Sequence, residues 1–118
     1  MDNKIIASNK DIVFYKKNNG NINLELLING ETLWVSQKTM AEIFDVQRPA
    51  ITKHLKNIYA DGELSKISTC AKSAHVQKEG NREVKRQTTF YNLDAIISVG
   101  YRINSKNATH FRIWATGI

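Results

Sequence analysis

Little in this sequence marks a catalytic or membrane protein. A single cysteine, Cys70, excludes an internal disulfide, and one thiol with three scattered histidines makes a poor zinc set. The six glycines stand singly in turns, so no Gly-rich loop cradles a phosphate, and the only proline is Pro49. No apolar run approaches the ~20 residues a membrane span needs. The opening Met1-Asp2-Asn3-Lys4 is followed only by Ile5-Ile6-Ala7, too short for a signal-peptide core, and the expected compartment is the cytoplasm. Repeats, low-complexity tracts and linkers are missing as well. Acids are scarce: 11 Asp+Glu stand against 17 Lys+Arg, a formal net charge of +6 over 118 residues. That length suits one domain and is too short for a Rossmann pair or a TIM barrel. Excess cations favour an acidic partner, and nucleic acid is the commonest soluble one.

What the sequence does have is a change of hydrophobic period along the chain. Residues 1–10 are polar and poorly patterned and read as a flexible lead-in. Asp11-Ile12-Val13-Phe14-Tyr15 is β-branched and aromatic, Asn18-Asn19-Gly20-Asn21 is a turn cluster, and Ile22, Leu24 and Leu26 then alternate with polar residues. That pattern predicts a β-hairpin buried on one face. Asn29-Gly30-Glu31 turns the chain into Leu33-Trp34-Val35, so two or three strands open the domain. From Ser36 the period becomes helical, with one stripe at Met40, Ile43 and Phe44 and another at Ile51, Leu55 and Ile58, closed by Asp61-Gly62. Residues 65–91 read as a long basic hairpin through Ile67, Val76, Val84, Phe90 and Tyr91, broken at Glu79-Gly80-Asn81-Arg82. Asn92 is expected to cap a helix that stops at Gly100. Ser105 is expected to cap a last helix of little more than two turns carrying Phe111, Ile113 and Trp114. Trp34 and Trp114 read as core anchors.

The segment Val35 to Lys56 has the spacing of a helix-turn-helix, and each part has a physical reason. Ser36 can accept a bond from a first-turn amide. Ala41 is small where two helices cross. Asp45 falls in the turn, where it tolerates a left-handed backbone better than most residues. Val46 plugs the gap between the helices, and Pro49 is acceptable because it lies in the first turn of the second helix. With Ile51, Leu55 and Ile58 inward, Pro49, Thr52, Lys53 and Lys56 face outward, with Arg48 near the boundary. An ordinary helical hairpin with a solvated face has the same outline, but the combination of cap, small residue, turn, plug and apolar triplet is more specific. Major-groove reading needs such a face: Arg forks onto guanine, Gln onto adenine, and Lys and Thr onto phosphates or base edges.

Charge placement points the same way. Residues 47–91 hold nine cations against four acids, a net +5 out of the chain's +6. A basic hairpin directly after a recognition helix is the layout of a winged helix, whose wing reaches the phosphate backbone or the minor groove. The alternative is that these Lys and Arg residues only protect an edge hairpin from aggregation. Candidate DNA contacts are Gln47, Arg48, Thr52 and Lys53 toward bases, and Lys56, Lys78, Arg82, Lys85 and Arg86 toward phosphates. Catalysis finds no comparable support. Cys70 and His75 are five apart on a predicted hairpin, hence on opposite faces and read as surface residues, and His54 reads as a half-buried packing residue. Asp61, Glu63 and Asp94 form no carboxylate pair.

Several blocks resemble a known family. Trp34-Val35-Ser36-Gln37, Met40-Ala41-Glu42-Ile43-Phe44, Tyr91-Asn92-Leu93-Asp94, Gly100-Tyr101-Arg102 and Phe111-Arg112-Ile113-Trp114-Ala115-Thr116 are similar to the N-terminal part of the RhuM family. Those are bacterial proteins labelled virulence proteins and often carried on genomic islands, phages and other mobile elements, and the name records a genomic neighbourhood more than a biochemical activity. The resemblance implies a bacterial, mobile-element setting and a chain that continues beyond the Trp-Ala-Thr block; it transfers no catalytic residues.

The expectation is therefore an α+β domain over residues 11–118, the front part of a longer protein. It would be a winged helix-turn-helix with an N-terminal β-hairpin and C-terminal helices, its helix-turn-helix at 36–60 and its basic wing at 65–91. The expected function is sequence-specific binding of double-stranded DNA as a transcriptional regulator, not an enzyme, with a homodimer as one way to reach useful affinity. The residues point to no cofactor, metal, small-molecule substrate or membrane partner. The competing expectation is a protein–protein module that docks an acidic partner or scaffolds a toxin-like C-terminal region.

Overall fold

The computed structural model describes residues 12–17, 23–30 and 32–117, without the side chains of Asn23 and of residues 74–78. The expectations for residues 1–10 and for the turn Asn18–Asn21 lie outside the described residues. Three strands come first: β1 (Ile12–Lys16), β2 (Asn23–Asn29) and β3 (Thr32–Ser36). They form an antiparallel meander, and Gly30, in the expected turn between β2 and β3, takes a left-handed backbone (φ 71°). Two helices follow, α1 (Gln37–Phe44) and α2 (Arg48–Ala60), then one short turn of helix, α3 (Lys66–Thr69). A long hairpin, β4 (Cys70–Glu79) and β5 (Arg82–Asn92), leads into α4 (Leu93–Ile103) and α5 (Ser105–Thr116). The fold is α+β, with a five-stranded antiparallel sheet in the order β1-β2-β3-β5-β4.

Strand alternation puts Tyr15, Leu24, Leu26, Leu33, Val35 and Tyr91 on one sheet face, and the helices cover that face. Met40, Ile43 and Phe44 of α1, Ile51, Leu55 and Ile58 of α2, Ile96 and Val99 of α4 and Phe111 of α5 complete the core. Phe111 sits between Tyr15, in an edge-to-face pair at 4.9 Å, and Phe44 at 6.4 Å, so α5 fastens β1 and α1 together.

Several local expectations change in the fold. Ile67 is not in a strand. Thr69 donates its backbone N–H (3.2 Å) and its hydroxyl (2.7 Å) to the Ser65 carbonyl, closing α3, while Ile67 is 66% exposed and gains no packing from a strand. The hairpin therefore spans Cys70–Asn92 in place of 65–91. Helix α4 does not stop at Gly100. A Cβ there would lie 2.6 Å from Phe44 Cζ and 2.9 Å from Ala108 Cβ, so this glycine permits close helix packing. The cap of α5 is Asn104, whose side chain accepts from Asn107 N at 3.1 Å, and the 12-residue helix exceeds three turns. Trp34 pairs with Leu27 and Asn92 on the sheet face away from the core, half-buried, so only Trp114 of the two tryptophans packs against the core. Cys70 is buried rather than on the surface; burial pushes its thiol pKa up, and the Tyr59 hydroxyl lies 3.7 Å away.

Candidate nucleic-acid interface

Helix α1 begins where Ser36 Oγ accepts the Thr39 amide at 3.2 Å. It ends at Asp45, the one described non-glycine residue with a left-handed backbone (φ 58°). An ion pair between the Asp45 carboxylate and the nearly buried Lys17 ammonium ties this turn to the end of β1. Val46 is half-buried against the core, and Pro49 occupies the first turn of α2, where no intrahelical N–H is lost. With Ile51 and Ile58 at 0% exposure and Leu55 at 3%, the rotation of α2 is set by core packing.

That rotation leaves Arg48, Pro49, Thr52, Lys53 and Lys56 exposed, and Gln47 is exposed at the N-cap ahead of them. Residues 47–60 contain three cations and no acid, and no ion pair among the described residues engages Arg48, Lys53 or Lys56. Two of the candidate contacts are already bonded within the chain. Thr52 Oγ1 donates to Gln37 Oε1 at 2.6 Å, and Arg48 Nε donates to the same oxygen at 3.5 Å. Gln37 Nε2 in turn donates to the Tyr91 hydroxyl at 3.1 Å. Burial raises the Tyr91 pKa, and the Gln37 bond opposes that rise. Gln37 did not stand out in the sequence as a candidate contact, because its partners come from two other elements, α2 and β5.

Beside this network, where β3 leaves the sheet to become α1, lies a cleft of about 450 Å³ between α1, α2 and β5. Gln37, Lys38, Arg48, Gln87 and Thr89 line it, and no acid does among the described residues. A second open cleft, of about 530 Å³ around the α1–α2 turn, mixes Lys17, Lys38 and Arg48 with Glu42 and Asp45 and suits an anion less well.

The hairpin carries its cations differently. The register pairs Glu79 with Arg82, Arg86 with His75, and Lys85 with Val76. Alternation then places Arg82 and Arg86 on the sheet face away from the helices and Lys85 on the helix side, with Lys72, Gln87 and Thr89. Arg82, Lys85 and Arg86 are all exposed, but Arg86 is ion-paired with Glu79 across the hairpin. Lys78 lies in β4 near the tip, and its side chain falls outside the described residues. The structure thus leaves Arg48, Thr52, Lys53 and Lys56 exposed on α2, with Gln47 exposed at its N-cap, and distributes the hairpin candidates over two faces.

Elsewhere, Arg102 of α4 reaches the segment after α2, 2.8 Å from Glu63 and 3.6 Å from Asp61. The bond from Arg102 holds the Glu63 carboxyl below its ordinary pKa. No helix among the described residues is long and apolar enough to cross a membrane.

Residues 68–118, from the end of α3 through the hairpin to α5, match the family model described as Virulence protein RhuM family. The resemblance read from the Tyr-Asn-Leu-Asp, Gly-Tyr-Arg and Phe-Arg-Ile-Trp-Ala-Thr blocks holds over that segment, while α1 and α2 lie ahead of it. Among curated proteins and among solved structures, none matches.

Proposed function

We propose that this chain, which carries the RhuM segment in its hairpin and last two helices, binds double-stranded DNA as a winged helix-turn-helix. In this reading α2 enters the major groove and the β4–β5 hairpin lies along the backbone. The observation that carries it is the acid-free outward face of α2, whose opposite face is locked into the core at Ile51, Leu55 and Ile58. Duplex DNA presents a dense row of negative charges, and a rigid helix with unpaired cations and no acid meets it without repulsion. Gln47, Arg48, Thr52 and Lys53 approach base edges; Lys56, Lys78, Arg82, Lys85 and Arg86 approach phosphates. The role that follows is transcriptional regulation on a mobile genetic element or genomic island. A single small domain covers one half-site, so tight operator binding uses a second copy.

A salt titration of random-sequence duplex binding tests this reading. Neutralising about five phosphates gives a log–log slope of roughly −4 to −5. A module that instead docks an acidic protein shows no duplex binding at low salt. Selection from a random duplex library then returns a motif, and two-fold symmetry in that motif reports a dimer.

A further inference from the structure

We infer that Gln37 is a specificity-determining residue of the proposed DNA surface, a positioning residue that sets the pose of Arg48 and Thr52 and is itself held by Tyr91. The inference rests on the DNA reading above. Its geometry is a three-way junction. One amide oxygen accepts from Thr52 Oγ1 of α2 at 2.6 Å and, over a longer 3.5 Å, from Arg48 Nε. The amide nitrogen donates to the Tyr91 hydroxyl of β5 at 3.1 Å. Because a guanidinium can only donate, the amide oxygen must face Arg48, so the orientation of the Gln37 amide follows from the chemistry.

Each bond has a consequence for reading DNA. An exposed arginine samples many rotamers and loses them on binding; one tethered at Nε loses fewer, while its two terminal nitrogens stay free for a forked contact with guanine. Thr52 spends its only hydroxyl proton on Gln37, so toward DNA it offers an accepting oxygen and a methyl group. It therefore suits the amino groups of adenine or cytosine, or the thymine methyl. Tyr91, nearly buried at the root of the hairpin, anchors the junction to the sheet, so recognition helix and hairpin share one fixed point. Gln37 carries no charge, and its contribution is to discrimination between sequences; overall attraction to phosphate comes from the cations.

The test compares binding of the full chain to the duplex it selects from a random library and to a scrambled duplex. Gln37→Ala is expected to lower the specific-to-scrambled affinity ratio about tenfold while the salt slope stays unchanged. Gln37→Glu keeps an oxygen that accepts from Thr52 and Arg48, and the Tyr91 hydroxyl can turn to donate to the second carboxylate oxygen, so this variant is expected to preserve the ratio while weakening binding to both duplexes through its added charge. A ratio unmoved by Gln37→Ala, or one lost equally in Gln37→Glu, overturns the role of Gln37 and leaves the DNA reading standing. A wild-type chain that binds neither duplex overturns the DNA reading and this role together.

Discussion

Helix α2 and the β4–β5 hairpin hold eight of the 17 Lys and Arg residues, and they display them on supports of different kinds. Helix α2 is bolted to the interior by Ile51, Leu55 and Ile58, and its outward face holds cations with no acid. In the hairpin no described residue from Glu79 to Phe90 is buried, and that length is held chiefly by the β4–β5 ladder. Its cations alternate between two faces, and Glu79 occupies one of them. Uniform charge on a packed helix gives a fixed pattern suited to reading base edges. Mixed charge on a thinly packed hairpin gives adaptable contact, which suits phosphates. On the proposed DNA reading, packing therefore decides which basic segment would carry information and which would carry only attraction.

The largest effect that could break this contrast is loss of the packing beneath α1 and α2. Phe44 is 2% exposed and touches both Phe111 and the Gly100 backbone region, so Phe44→Ala should cost about 3–5 kcal/mol in a denaturant titration. A change within about 1 kcal/mol would show that the helix pair does not depend on that core.

Charge substitutions sharpen the contrast on the functional side. Lys53→Glu should weaken binding to every duplex by well over the ~10-fold that one lost phosphate contact costs near 0.1 M salt. Lys85→Ala should cost about that tenfold, and Arg86→Ala less, because Arg86 already faces Glu79. Equal losses for Lys85→Ala and Arg86→Ala, read by fluorescence anisotropy, would show that the Glu79 pair does not restrain Arg86.

The smallest expected effect concerns pH. The Glu63 carboxyl is held below 4.5 by its bond from Arg102, so the folded chain binds this proton more weakly than the unfolded chain does. The contact stabilises the fold above about pH 4.5 and is lost as pH falls through the lowered folded value. Arg102→Ala should remove a small part of the acid dependence of the melting temperature and leave stability below the lowered folded value almost unchanged. Because the pair is exposed, solvent screening keeps the effect slight.

Much of the architecture was legible along the chain. Ser36 before a helical stripe, Asp45 at the turn, Pro49 one turn later and the Ile51-Leu55-Ile58 triplet each depend on neighbours within a few positions, and each behaves in the fold as its chemistry predicts. The misreadings involve partners that are distant or local bonds that outweigh propensity. Gly100 looks like a helix stop until Phe44 and Ala108 are seen against it, and Ile67 looks like a strand residue until Ser65 and Thr69 close a turn around it. Trp34 looks like a core residue because register, which determines its sheet face, is set by pairing with β2 and β5.

Residue order by itself determined the local elements, the net charge and the side of α2 that meets solvent, because helix period, caps and turn residues act over short range. Only the tertiary structure decided that Gln37 joins Thr52, Arg48 and Tyr91, that Glu79 occupies Arg86, and that the hairpin cations divide between two faces. Hydrogen bonds and ion pairs depend on distance in space, and the chain reveals those distances only once its core has brought α1, α2 and the sheet together.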